Sequence, residues 1–210
     1  MKCVFYSDFE LYSLRLEVKN RLSQKRFDHT LGVATAARRL GEVFLPACVS
    51  ELVAAALLHD IAKEIGKEES LELILTSSVP VTDEDLDISS IHHSIAGVAL
   101  IKRDFQRFAT ENVLNSVYNH TVGSPQMDLF SEIIFLSDYI EDGRSYYYSK
   151  EVAKFLYNAI NSEQEYGKKL IALHTATVMV LEHTINSLTQ ASRKVHSKAI
   201  LTKNHFSSLI

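Results

Sequence analysis

Apolar side chains recur at helical intervals along nearly the whole chain. Leu11, Leu14, Leu16, Val18 and Leu22 mark a first helix over Asp8–Leu22, and Leu31, Val33, Ala34, Ala37, Leu40 and Phe44 mark a second over His29–Phe44. Pro46 punctuates them. The segment Cys48–Glu64 is almost wholly apolar through its middle, which predicts a third helix buried over most of its circumference. Gly66–Ser78 is amphipathic, and the acidic stretch Val79–Ser90, opened by Pro80, reads as a loop or a short helical turn. Further helices are predicted over Ser94–Phe108, Thr110–His120, Met127–Tyr139, Lys150–Ile160 and Glu165–Leu188, with a turn at Gly123–Pro125 ahead of the Met127 segment. From Gln190 onward Ser, Lys and His displace the apolar spacing, so residues 191–210 are expected to be a polar tail, frayed or ordered by a partner. The expected architecture is all-α: one helical domain over residues 1–190, followed by that tail.

Composition agrees with helices. Seven glycines and three prolines in 210 residues are few for a many-turned β architecture, and 46% hydrophobic content suffices for one sizeable core. The net charge of −4, with acids and bases interspersed, leaves no cationic face to neutralise a nucleic-acid polymer. No apolar run approaches the roughly 20 residues of a membrane span; Val53–Leu58 and Ile133–Leu136 are the longest candidates. Asp8 and Glu10 interrupt the N-terminus where a secretory signal needs apolar residues, and Cys3 and Cys48 have neither CxxC spacing nor a framework. These features place the chain in a reducing cytoplasm, with neither a membrane nor a nucleic-acid partner.

The chemistry lies in polar residues that packing does not explain. AAALLHDIAK holds His59 and Asp60 at the centre of an apolar segment, and EIIFLSDYIE holds Asp138 in the same way. A buried carboxylate requires hydrogen-bond partners or a metal. Each of these residues taken singly is more simply a satisfied buried polar group. Together with His29 at a predicted helix start, His93 and His120, they make four imidazoles and two carboxylates on separate segments, a ligand set for two first-row cations. Asp60, beside His59 on the most buried helix, is assigned as the bridge. His29, His59 and Asp138 then fall on one ion, and His93 and His120 on the other.

The isolated His29, the adjacent His59-Asp60 pair and the distant Asp138 resemble the pattern of the HD superfamily. RFDHTLGVATAA, AALLHDIAK, HHSIAGVAL, YNHTVGSPQM and IIFLSDYIEDGR are similar to blocks of its YqeK family, symmetrical dinucleoside tetraphosphate hydrolases, and the resemblance runs from Arg26 to Arg144. Asp142 departs from it, standing where Pro is common, as does Ile61, standing where an aromatic is frequent.

The resemblance implies an HD-domain helical bundle with additional C-terminal helices and two divalent or mixed-valence metal ions. Iron is the first expectation, with manganese or zinc as alternatives. It favours His93 over His92 as a ligand, since the family's His stands four residues before the position of Gly97. It also implies hydrolysis of diadenosine tetraphosphate to two ADP (GDP from the guanosine analogue), by a hydroxide held between the ions. Asp60 and Lys63 are the expected catalytic residues. Lys63, four residues after His59, would bring an ammonium to a phosphate oxygen. Arg26 and Arg144 are candidate phosphate clamps, and Thr121 and Gly123 could offer a hydroxyl and a close backbone amide. Lys63, Arg26 and Arg144 would otherwise be plain surface charges.

His174 and His183 are expected to be structural, and Tyr146–Tyr148 to form either a stacking platform or a core edge. The same residues admit another HD nucleotide phosphohydrolase, such as a nucleotidase or a guanosine-alarmone hydrolase, or a non-enzymatic nucleotide sensor. A homodimer is left open.

Overall fold

The computed structural model describes residues 2–210. Among the described residues the helical periodicity is realised as eleven α-helices with no strand: α1 (Asp8–Lys19), α2 (Gln24–Phe44), α3 (Val49–Leu58), α4 (Lys67–Thr76), α5 (Asp83–Asp87), α6 (His92–Asp104), α7 (Glu111–Asn119), α8 (Leu129–Ile140), α9 (Tyr147–Ser162), α10 (Tyr166–Gln190) and α11 (Ser197–Ser207). The most apolar of them, α3, takes the central place, and every residue from Glu51 to Leu58 is buried. Helices α1, α2, α7 and α8 pack around it; α6 lies between α4 and α7, and α10 packs on α8, α9 and α11. Among the described residues no helix is long and apolar enough to cross a membrane.

Helix ends follow local hydrogen bonding more than periodicity. Ser7 opens α1 with a capping box, its hydroxyl accepting from the Glu10 amide while Glu10 accepts from the Ser7 amide at 2.8 Å. Ser23 caps α2 in the same position, so α2 begins at Gln24, five residues before the apolar spacing announces it, and His29 lies in the second turn and not at the start. Helix α3 stops at Leu58, short of the expected Glu64. The His59 ring donates to the Ala56 carbonyl at 2.7 Å, which supplies a partner to the acceptor a continuing helix would use for Asp60. The backbone instead turns tightly, with Ile61 N donating to Leu58 O and Lys63 N to Asp60 O. His59 and Asp60 therefore sit at the end of the apolar helix, where a side chain can leave the core.

The chain after Gln190 is not a frayed tail. It forms α11, whose Ala199, Thr202 and Phe206 are buried. Buried His196 anchors it, with Nε2 at 3.0 Å from Asp85 Oδ1, and Lys198 Nζ reaches the same oxygen at 3.1 Å. Three inward residues make too narrow an apolar seam to register as a period, and the anchors are more than one hundred residues away in sequence.

The cysteines also differ from expectation: Cys3 and Cys48 are joined by a disulfide that ties the N-terminal segment to the start of α3. Beside it, buried Glu51 accepts from the Val4 amide, the Thr110 hydroxyl and the Asn112 amide, so its carboxylate is satisfied without a cation.

Candidate metal centre

Six side chains from five helices and one turn converge beside the end of α3. His59 ends α3 and His120 ends α7 in the same manner. Each ring donates from Nδ1 to the carbonyl three residues back, Ala56 and Val117 respectively, both at 2.7 Å. That bond selects the tautomer with a free Nε2 lone pair. His29 enters from α2, His93 from the first turn of α6, Asp138 from the last turn of α8, and Asp60 from the turn after α3.

The donors form two groups. Ligand atoms of His29, His59 and Asp138 lie within 4.8 Å of one another, and so do those of Asp60, His93 and His120. Asp60 faces both groups. Its Oδ2 is 3.6 Å from His59 Nε2 and 3.9 Å from His29 Nε2, while its Oδ1 is 3.3 Å from His93 Nε2 and 3.5 Å from His120 Nε2.

The chemistry of this set fits a pair of first-row cations. His29 Nε2 and His59 Nε2 are buried nitrogens with no hydrogen-bond partner, although Asp138 Oδ1 is only 3.0 Å from the former. Buried unpaired nitrogens are costly and rare, and a cation is the partner that imidazole and carboxylate together select. Burial pushes the His59 ring down to about 4, so it is a neutral donor at neutral pH, the form a metal requires. His93 is lowered in the same direction, by burial first and then by His120 and Lys63. For His29 burial also acts downward, but the nearby Asp138 carboxylate and the Glu141 contact at Nδ1 prevail and hold it above the ordinary value. Burial acts upward on Asp60 and Asp138, yet the surrounding imidazoles, with Arg144 on Asp138, hold both well below the usual carboxylate range.

The cationic residues gather at the same place. Arg26 Nη1 donates to Asp60 Oδ2 at 2.8 Å, and Arg144 donates to Asp138 through its guanidinium. Lys63 Nζ donates to His93 Nε2 at 2.9 Å and lies 3.9 Å from Asp60 Oδ1. It reaches the site from the turn and not along a shared helix face. Burial lowers its pKa despite the neighbouring carboxylates. Thr121 lines the cavity beside His120, its hydroxyl 3.4 Å from that of buried Ser94.

Gly123 leaves the set of substrate contacts. Its amide donates to Asn119 O at 2.8 Å, and its left-handed backbone (φ 70°) packs on α11, where a Cβ would meet Thr202 Cγ2 at 2.8 Å. His92 stands apart from both donor groups, with Nε2 3.0 Å from Leu86 O.

One residue escaped the sequence reading. Buried Glu141 lies 3.1 Å through Oε1 from His29 Nδ1, and its Oε2 accepts from the Gly143 amide at 2.6 Å. Gly32 makes room for it, since a Cβ there would collide with the carboxylate. Glu141 follows Asp138 by three residues, but that spacing alone does not distinguish it from any helix-end acid. His174 and His183 have local partners: His174 faces buried Glu132 at 3.0 Å, and His183 contacts Tyr139 Oη at 2.8 Å and stacks on Tyr148. Tyr146 and Tyr147 are exposed.

Comparison with known proteins follows the same residues. The sequence pattern of the HD domain family matches residues 26–143. The symmetrical bis(5'-nucleosyl)-tetraphosphatase of Bacillus subtilis (strain 168) is 29% identical over 187 residues, spanning 89% of this chain and 92% of the relative. Its namesake in Halalkalibacterium halodurans is 32% identical over 131 residues, 61% of this chain and 67% of the relative. The crystal structure of a "predicted HD superfamily hydrolase involved in NAD metabolism" from Clostridium acetobutylicum superposes with a TM-score of 0.79 at 29% identity, covering 98% of this chain and 99% of that one.

Proposed function

The chain belongs to the HD domain family, and from that premise we propose that it is a metal-dependent hydrolase cutting dinucleoside tetraphosphates symmetrically, diadenosine tetraphosphate and water giving two ADP. The observation that carries this reading is Asp60, whose two oxygens face two separate groups of imidazoles. His29, His59 and Asp138 would hold one cation and His93 and His120 the other, with Asp60 offering one oxygen to each group. Iron is our first choice, with manganese or zinc compatible with the same donors. The names of the Bacillus subtilis and Halalkalibacterium halodurans relatives support the substrate.

When bound, such a cation pair supplies Lewis-acid polarisation of phosphoryl oxygens and acidifies water for attack. The protein's own groups do the rest. Arg26 and Arg144, held on Asp60 and Asp138 in this structure, are placed to exchange those carboxylates for phosphate oxygens and to fix the polyphosphate bidentately. Lys63 adds a third cationic group at the His93 end, suited to neutralising charge that grows on a departing phosphate. Buried Glu141 holds His29 by its distal ring nitrogen, so the ring keeps its aim while substrate comes and goes. Thr121 contributes a hydroxyl at the cavity wall.

We place the enzyme in the cytoplasm, acting on small nucleotides, where cellular thiols would hold the Cys3–Cys48 pair open. The deciding experiment is product analysis after metal loading. Diadenosine tetraphosphate should yield ADP as sole nucleotide product, two per turnover; AMP with ATP, or no turnover by metal-replete protein, would refute the reading.

A further inference from the structure

Two cavities reach the candidate metal centre, and they share no lining residue. The first, about 260 Å³, opens at Lys63, His93 and His120 and runs between α8, α10 and α11, with Phe135, Val180 and Leu181 among its walls. Beyond the groups at its mouth, Lys63, His93, His120 and Asp138, its polar lining is Ser90, Thr121, Tyr139, Thr184, Lys194 and the anchored His196. The second, about 900 Å³, opens at His29 and is lined by Arg26, Arg144, Glu64, Glu141 and exposed Tyr146.

Resting on the hydrolase reading above, we infer that a symmetrical substrate is held unequally: one nucleoside is buried in the apolar cavity, and the other lies in the open arginine-lined cleft. A single nucleoside bearing four phosphates is then a substrate of the same site.

Size and chemistry carry the inference together. At about 260 Å³ the first cavity falls just below the ~300 Å³ at which pockets begin to take whole drug-sized ligands, so it admits one nucleoside and not two. An apolar wall with a few convergent polar groups is the environment that rewards burial of a flat base. The second cleft sets Lys25, Arg26 and Arg144 among Asp28, Glu64 and Glu141, so its cations can meet phosphate but its walls are polar throughout, while Tyr146 stands in water, where stacking displaces little solvent. The asymmetry comes from α11, which closes one cavity and does not border the other.

The reaction balances as for the dinucleotide. Water adds across the bond between the second and third phosphates of adenosine 5'-tetraphosphate, which breaks to give ADP and inorganic diphosphate.

The test compares diadenosine tetraphosphate, adenosine 5'-tetraphosphate and inorganic tetraphosphate on the metal-loaded full-length protein, and counts ADP bound per chain by calorimetry. The expected kcat/KM for the single-nucleoside compound is within about tenfold of the dinucleotide, with the inorganic chain slower by about 100-fold, because binding of remote parts drives the reacting centre. One ADP should bind per chain. Half-buried Thr184 lines the cavity, and Thr184→Trp should raise KM for both nucleoside substrates by about 100-fold while the metal content is kept. Cleavage of the dinucleotide with the single-nucleoside compound more than about 100-fold slower, or two equivalent ADP sites per chain, overturns the inference and leaves the hydrolase reading standing. Turnover of none of the three overturns both. The substrate comparison and the stoichiometry use wild-type protein, so a misfolded Thr184→Trp does not decide the matter.

Discussion

Glu141 Oε1 lies 3.1 Å from His29 Nδ1, across 112 residues of sequence, and turns the opposite ring nitrogen toward Asp138 at 3.0 Å. A carboxylate behind a ligating imidazole fixes its tautomer and raises its basicity. Removing such a partner costs roughly 10–100-fold in metal affinity or activity. Glu141→Gln should therefore fold normally and bind metal 10- to 100-fold more weakly, read by competition with a chelator of known affinity. Unchanged affinity would assign Glu141 to packing alone. Gly32→Ala should reproduce part of the loss, because its methyl would displace the same carboxylate.

Among the described residues, Asp60 is the only carboxylate that faces both donor groups. Asp60→Ala should reduce metal from two ions per chain to one or none and lower kcat by on the order of 10³-fold or more, since the lost polarisation amounts to several kcal/mol. Elemental analysis and product assays on one preparation check both halves. Retention of two ions with full turnover would remove Asp60 from the bridge.

Acid should weaken the metal-free protein through His59. Its ring titrates near the ordinary 6.5 when unfolded and at about 4 when buried, so the unfolded state binds the proton first as pH falls. The contribution is complete above about 6.5 and is lost as pH falls toward 4. Between pH 8 and pH 5 it amounts to about 2 kcal/mol. Urea midpoints of the metal-free protein at the two pH values, beside those of His59→Asn, measure it; an equal drop in the variant would assign the acid sensitivity elsewhere.

The clasp between His196 and Asp85 holds α11 against α5. His196→Ala leaves Asp85 to Lys198 and Thr82 alone, and loss of a buried hydrogen bond of this kind costs about 1–3 kcal/mol. Because His196 also lines the apolar cavity, the variant should raise KM more than it lowers kcat. An unchanged KM at reduced stability would limit α11 to a structural role.

Cys3 and Cys48 close a span of 45 residues, and neither lines either cavity at the metal centre. Reduction, or Cys3→Ser, should cost up to about 4 kcal/mol of stability on the chain-entropy account, with turnover retained at 25 °C. Thermal unfolding with and without reductant, paired with an activity assay, tests this; lost turnover in a folded reduced protein would contradict it.

Three of the candidate ligands, His59, Asp60 and Asp138, were legible because they break a local rule. His59 and Asp60 end an apolar run and Asp138 interrupts another, and a charge there demands an explanation. Glu141 breaks none, since an acid at a helix end facing a turn is ordinary, and only its contact with His29 sets it apart. Helix α11 was illegible for a similar reason. Its three inward residues make no pattern without the α10 surface they pack on and the Asp85 carboxylate that anchors them.

By itself the sequence determined that the chain is all-helical, and it singled out the histidines and aspartates that the fold gathers at one place. Both are written locally, in the period of apolar residues and in ionisable groups placed among them. Only the tertiary structure decided which oxygen of Asp60 faces which imidazoles, that Glu141 stands behind His29, that Gly123 serves α11 and not the substrate, and that two unlike cavities meet at one centre. Those are distances between segments far apart in the chain, set by how whole helices pack, and no local spacing encodes them.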